Sequence, residues 1–142
     1  MAKIGVYNSN EVSLFVSMIP IKQGRAKDGF LTIAPTSDDY TTAEGADGFV
    51  VRQAVNSRTY TVTIKLLGAS PENAKLSALR ESGLRAGNGA DIGPFMAKNG
   101  LGEFLLVGDC WISKPPEVGF GAEMDDREWT LTVVEKVVLH GS

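Results

Sequence analysis

From Ser57 to Leu67 the chain alternates almost without a break: Tyr60, Val62, Ile64 and Leu66 fall on one side, and Thr59, Thr61, Thr63 and Lys65 on the other. A helix would scatter these residues around its axis, whereas a strand gathers them into one apolar face and one wet face. Near the C-terminus the pattern recurs. Trp129, Leu131, Val133, Val137 and Leu139 share one parity, and Glu128, Thr130, Thr132 and Lys136 share the other. Glu135 interrupts the apolar side, and Val134 and Val138 sit on the polar side. This predicts apolar surroundings on both faces near the end of the strand, either core or a partner subunit.

Further strands are predicted at Val12 to Ile19, Gly29 to Ala34, Gly48 to Ala54, Pro94 to Lys98, Leu101 to Val107 and Cys110 to Lys114, each bounded by turn residues. Asn99-Gly100 predicts a tight hairpin, because both residues tolerate the positive φ of a type I′ turn. Gly45-Ala46-Asp47-Gly48 reads as another turn. The polar stretch Pro35 to Asp47 carries Asp38, Asp39, Tyr40, Thr41, Thr42 and Glu44, and reads as a long exposed hairpin arm. One helix interrupts the strands: Ser70 suits its cap, Pro71 its first turn and Glu72 its positive end, and Gly83 is the expected stop. Ala74, Leu76, Ala78 and Leu79 give that helix a modest apolar side, to lie on a sheet face or plug one end of a barrel. Arg85 to Gly93 reads as a flexible loop. The expected fold is mainly β: a β-sandwich or barrel of about six to eight antiparallel strands with one α-helix, in a single domain over residues 1–142.

A chain of 142 residues with 43% hydrophobic and 22% charged residues is long enough to bury a core without covalent staples. The single cysteine, Cys110, has no partner for an internal disulfide, and with His140 it cannot complete a four-ligand zinc site. A reducing compartment follows, with synthesis in the cytoplasm. The net charge of −3 does not suit sequence-specific DNA binding. The apolar run Val12 to Ile21 is about half the ~20 residues a membrane-spanning helix needs, and no secretory signal pattern follows Lys3.

The candidate chemical motifs are weak. Gly87-Asn88-Gly89-Ala90-Asp91-Ile92-Gly93 misses the dinucleotide fingerprint by one residue and follows a helix instead of a strand. Glu123, Asp125, Asp126 and Glu128 are an acidic cluster better read as a solvated turn than as paired catalytic carboxylates or hard-metal ligands. Cys110 sits in an alternating strand as a packed thiol, and His140 is too near a fraying end to be held in a catalytic geometry. No Gly-x-Ser-x-Gly elbow occurs. Trp111 and Trp129 read as core aromatics. Lys22, Arg25 and Lys27 read as a solvated or subunit-facing loop. Neither an enzyme nor a cofactor or metal site is expected.

Three segments carry a resemblance: Ala46-Asp47-Gly48-Phe49-Val50-Val51-Arg52, then Arg58 to Leu79, then Trp111-Ile112-Ser113-Lys114-Pro115-Pro116 with Gly119-Phe120-Gly121 and Arg127-Glu128-Trp129. In this order, over nearly the whole chain, they resemble the tail tube proteins of contractile-tailed bacteriophages and related prophages, which share their fold with the tubes of type VI secretion systems. The resemblance implies a virion structural protein that closes into hexameric rings by self-assembly. The rings stack into a tube for DNA ejection, with open strand edges joining neighbours. It also implies the partners: copies of itself, the tail sheath protein, baseplate and tail terminator proteins, and the tape-measure protein and DNA in the lumen, with no sequence-specific binding and no membrane insertion. The location implied is the virion tail, assembled in the host bacterial cytoplasm.

DNA must pass without adhering, so a polar and acidic lumen is expected. Met1 to Asn10 and the arm, with Asp38, Asp39, Tyr40, Thr41, Thr42 and Glu44, are the candidate ring-to-ring contacts. Trp111, Pro115, Pro116, Arg127 and Trp129 are the candidate structural anchors. Three other functions compete: a tube-fold terminator or baseplate-proximal ring, a soluble ligand-binding β-barrel with a deep apolar pocket, and a hydrolase built on Asp125, Asp126 and Glu128.

Overall fold

The computed structural model describes residues 12–27, 29–87, 89, 91–99, 104–121 and 125–140. The strand β1 (Ser13–Val16) turns back into β2 (Ile19–Pro20). Where a single strand was predicted, Ser17 and Met18 form a two-residue turn with φ of 48° and 72°. That is the sign a type I′ hairpin requires at both positions. The Ser17 N–H donates to the Pro94 carbonyl at 2.7 Å, which fixes the corner against the next strand of the sheet.

The remaining body strands are β3 (Leu31–Pro35), β6 (Thr59–Leu67), β7 (Gly93–Lys98), β8 (Phe104–Lys114) and β9 (Asp126–His140). They form one antiparallel seven-stranded sheet in the order β2-β1-β7-β8-β9-β6-β3. Leu14 and Val16 from one end share a core with Val62, Ile64 and Leu66 from the other, along with Phe95, Leu106, Cys110, Leu131 and Val133, so the sheet wraps over on itself. Among the described residues it does not close into a barrel: β2 has two residues and ends in Pro20, which cannot donate to a ladder. A strap spans the gap instead. Ile21 donates to Leu14 at 2.9 Å, Ala26 donates to Lys65 at 3.0 Å, and Leu67 donates to the Gly24 carbonyl at 2.6 Å.

The predicted break between Val107 and Cys110 is absent: β8 runs straight through Gly108-Asp109. Here β9 carries a bulge, with Val107 opposite Val137 but Gly108 opposite Glu135. A Cβ on Gly108 would lie 2.1 Å from the Val134 carbonyl oxygen, so only glycine lets the bulged backbone approach. The extra residue inverts the parity of everything after it. Val138 therefore packs against the core, while Val137 and Leu139, expected inside, are 46% and 55% exposed.

The helix α1 (Glu72–Ala86) outruns its expected stop at Gly83 by a turn and ends at Gly87, with φ 61°. Gly83 serves packing instead, since a Cβ there would meet the Asp91 side chain at 2.2 Å. Arg85 and Ala86 are thus helical and Gly93 opens β7, which shortens the predicted loop at both ends. At the start of α1, the Ser70 hydroxyl accepts from the Glu72 N–H at 3.3 Å and donates to the Gln23 carbonyl at 2.5 Å, joining helix and strap. Leu76 is buried in the core. Lys98 lies opposite Leu105 and Asn99 donates to Phe104 at 3.2 Å, so β7 and β8 do not meet in a two-residue turn across Asn99-Gly100; residues 100–103 lie outside the described residues.

Candidate assembly surfaces

The arm predicted over Pro35 to Asp47 is shifted: Pro35 ends β3, and the hairpin runs from β4 (Tyr40–Glu44) into β5 (Val50–Ala54), the strand predicted separately at Gly48 to Ala54; among the described residues the two are hydrogen-bonded to each other and to no body strand. Its loop is held locally: Gly45 donates to Phe49 at 2.8 Å, and the Asp47 Oδ1 accepts from the Phe49 N–H at 3.1 Å. Along the shaft, Arg52 lies over the Tyr40 ring at 4.3 Å and Thr41 donates to Gln53 at 3.3 Å. Asp38, Asp39, Tyr40, Thr41, Thr42 and Glu44 are all exposed. The sequence reading passed over the apolar tip. Phe49 is 68% exposed, and Val50 and Val51 are exposed beside it. The signal was available in Phe49-Val50-Val51, three consecutive apolar residues that leave neither face of a two-stranded ribbon polar.

At the arm's base, Val55 donates to Asp39 at 2.8 Å, Glu135 donates through its N–H to Arg58 at 2.8 Å, and the Arg58 guanidinium lies 3.5 Å from the Glu135 carboxylate. Tyr60 sits at this junction. Desolvation raises its pKa first, and the neighbouring Glu135 and Asp39 charges raise it further.

The candidate anchors separate. Trp129 is buried at 3% exposure, and its indole N–H donates to Asn73 Oδ1 at 2.9 Å, tying β9 to α1. Arg127 is half-buried on the same strand, and it shares a hollow with Pro115, Pro116, Val118 and the helix residues Asn73 and Arg80. Trp111, by contrast, is only half-buried: it lies opposite Thr132 on the outer face, because its neighbour Cys110 points into the core.

The chemical candidates do not converge. Cys110 is fully buried, and burial pushes its thiol up to about 11. Of the acidic cluster, Asp125, Asp126 and Glu128 line an open hollow with Lys114 and Glu117, while Glu123 lies outside the described residues. No group of three metal-ligating side chains occurs among the described residues. Gly87 caps α1 and Gly93 begins β7, so the glycine run has structural uses. Arg25 donates to the Ile21 carbonyl at 2.9 Å through Nε and lies over the Phe30 ring at 4.7 Å, bracing the strap. His140 stacks edge-on against Phe104. No described helix is long and apolar enough to cross a membrane. Met1 to Asn10 lie outside the described residues.

Three solved assemblies contain chains of this architecture. A chain of the anti-feeding prophage tube-terminating cap aligns with TM-score 0.59 and 9% identity, over 99% of this chain and 95% of its own. The fold is the tail-tube fold. A chain of the native gene transfer agent virion matches with TM-score 0.59 and 9% identity, over 96% of this chain and 99% of its own. The extracellular contractile injection system PVC supplies two matches. Its extended sheath/tube terminator gives 0.56 at 11% identity, over 97% of this chain and 98% of that one. Its extended sheath–tube complex gives 0.50 at 10% identity, over 94% and 90%. By sequence, the chain is 24% identical over 119 residues to structural protein ORF10 of Pseudomonas phage KPP10, covering 83% of this chain and 69% of that protein. No protein-family model matches. Phage and contractile-tail structural proteins are thus what this tail-tube-like chain is similar to.

Proposed function

We propose that this chain is a tail structural protein that assembles with copies of itself into hexameric rings, and that the rings stack into the inner tube through which DNA leaves the virion. The arm carries this reading. An isolated two-stranded hairpin is marginal in water, yet this one holds Tyr40, Phe49, Val50 and Val51 out to solvent with no described body strand hydrogen-bonded to it. A second copy laid against it supplies the missing layer. Among the described residues β3 is the outermost strand of the sheet, and its edge offers ladder groups for a neighbour in the ring.

In this reading Asp38, Asp39, Tyr40, Thr41, Thr42 and Glu44 make ring-to-ring contacts, joined by Phe49, Val50 and Val51. Trp111, Pro115, Pro116, Arg127 and Trp129 hold the subunit's shape. The sheath protein covers the outside, terminator and baseplate proteins close the ends, and the tape-measure protein and DNA occupy the bore in turn. The work is mechanical and asks no catalysis, cofactor or metal of the chain. Its place is the virion tail, with assembly in the host cytoplasm.

A second reading makes the chain a terminator or cap ring that does not stack without limit. It is favoured by the higher TM-scores of the cap and terminator chains, 0.59 and 0.56, against 0.50 for the sheath–tube complex. Electron microscopy of the purified protein over a range of concentrations, with its size-exclusion mass, separates the two. Hollow filaments of uniform diameter are expected. Single rings at every concentration support the terminator, and a monomer that binds a small apolar ligand, even with tail baseplates added, overturns both.

A further inference from the structure

We propose that the hollow between α1 and the segment after β8 is a carboxylate-binding pocket whose occupant is the arm loop of a second copy: Asp47 of that loop supplies the acid that Arg127 lacks, and Phe49 the apolar contact. This rests on the tube reading above and names the site where its arms dock. The hollow, of about 300 Å³, is lined by Arg127 and Trp129 of β9, by Pro115, Pro116 and Val118, and by Arg80 and Glu81 of α1. Arg127 carries the anomaly. It shares the strand parity of the buried Trp129, so it turns to the side of the sheet that α1 covers. Among the described residues its Nη1 is buried and has no hydrogen-bond partner. A buried donor on a cation is costly to leave unpaired, and it bonds strongly when a carboxylate meets it. Glu81 does not serve, because it lies 3.7 Å from Arg80 and 3.6 Å from Arg85. Beside Arg127 the two prolines and the exposed Val118 offer apolar surface.

The arm loop carries the matching pair of groups. Asp47 Oδ1 accepts from the Phe49 N–H at 3.1 Å, which fixes an acid beside a ring that stands in solvent. Because that ring is exposed, the chain's own arm does not fill the hollow. The register then sets donor and receptor apart. The arm's return strand leads into Thr59, opposite Val134, while Arg127 stands opposite Leu66, seven residues along β6 and roughly 23 Å away at the rise of a strand. A contact that repeats without closing joins two different surfaces of one subunit, and the two ends of β6 provide them. A phosphate backbone is the poorer occupant, since it needs several unopposed cations and Glu81 already engages Arg80 and Arg85. A single carboxylate with an apolar neighbour is what the hollow fits.

The test uses the full chain carrying Ala46→Cys and Val118→Cys together, both at exposed positions, with the buried Cys110 leaving the wild type as the unlinked control. In filaments verified by microscopy, a short bis-maleimide should give a ladder of covalent oligomers, while either single variant stays monomeric. Filaments without a ladder overturn the receptor and leave the tube reading standing. So does a ladder from Ala46→Cys alone, which sets arm against arm, and so does a bridge already formed within dilute subunits. A second measurement needs no added cysteine. Asp47→Asn and Arg127→Gln should each raise the concentration at which filaments appear by about tenfold or more, and the double variant no further than either alone. Arg127→Gln should do so with its urea midpoint in place. Unshifted thresholds, additive shifts, or a fallen midpoint that accounts for the loss overturn the pairing. A wild type that never forms filaments removes the tube reading and this contact with it.

Discussion

The body and the arm are written in the same strand grammar and end in opposite states. In β6 and β9 alternation produces a buried side: Val62, Ile64, Leu131 and Val133 are fully enclosed, with Trp129 locking α1 onto them. In β4 and β5 the chain pairs Tyr40 with Ala54 through Glu44 with Val50, yet nearly every side chain stays exposed. Pairing is therefore not what makes a strand stable; the layer behind it is. The body carries that layer within the chain, and in the proposed function the arm receives it from another copy.

The largest effect expected on the body side comes from Trp129→Ala, which removes a buried ring and its bond to Asn73. Urea unfolding should show a loss of about 3–5 kcal/mol, and a near-neutral change would mean that α1 is held some other way. Next is Gly108→Ala, whose methyl collides with the Val134 carbonyl. A loss of about 1–3 kcal/mol is expected, and an unchanged midpoint would show that the bulge yields freely. A smaller, pH-dependent effect belongs to Cys110. Its folded pKa is raised from 9.0 to about 11, so the unfolded chain loses this proton first, and stability falls as pH rises from about 9 to about 11. In Cys110→Ala that part of the slope should vanish in chemical denaturation across this range. The arm should register least in stability. Phe49→Ser with Val51→Ser should stay within about 0.5 kcal/mol of wild type in urea but abolish sedimentable assembly. A large stability loss would break the contrast between arm and body.

The legible parts of the sequence were those where one force decided the outcome. The face of β6, the exposure of the arm and the burial of Cys110 and Trp129 follow from alternation and turn residues alone. The misread positions are those where a distant backbone intervenes. Val137 and Leu139 face out because of a bulge whose cause, Gly108, lies on another strand. Gly83 resembles a helix stop, but its missing side chain makes room for Asp91. Ser17 and Met18 carry no glycine or asparagine to announce positive φ, and the bond to Pro94 helps hold them there. The Phe49-Val50-Val51 run marks a ribbon with no polar face, but the layer that would cover such a ribbon is not written in its local sequence.

Hydrogen–deuterium exchange at the β4–β5 amides, compared between dilute subunits and assembled particles, tests the central claim most directly. Rapid exchange of Val50–Ala54 in the free subunit and strong protection after assembly, with β6 and β9 slow in both, is the result this account predicts. Arm amides as slow as the core in the dilute subunit, or unchanged by assembly, would contradict it.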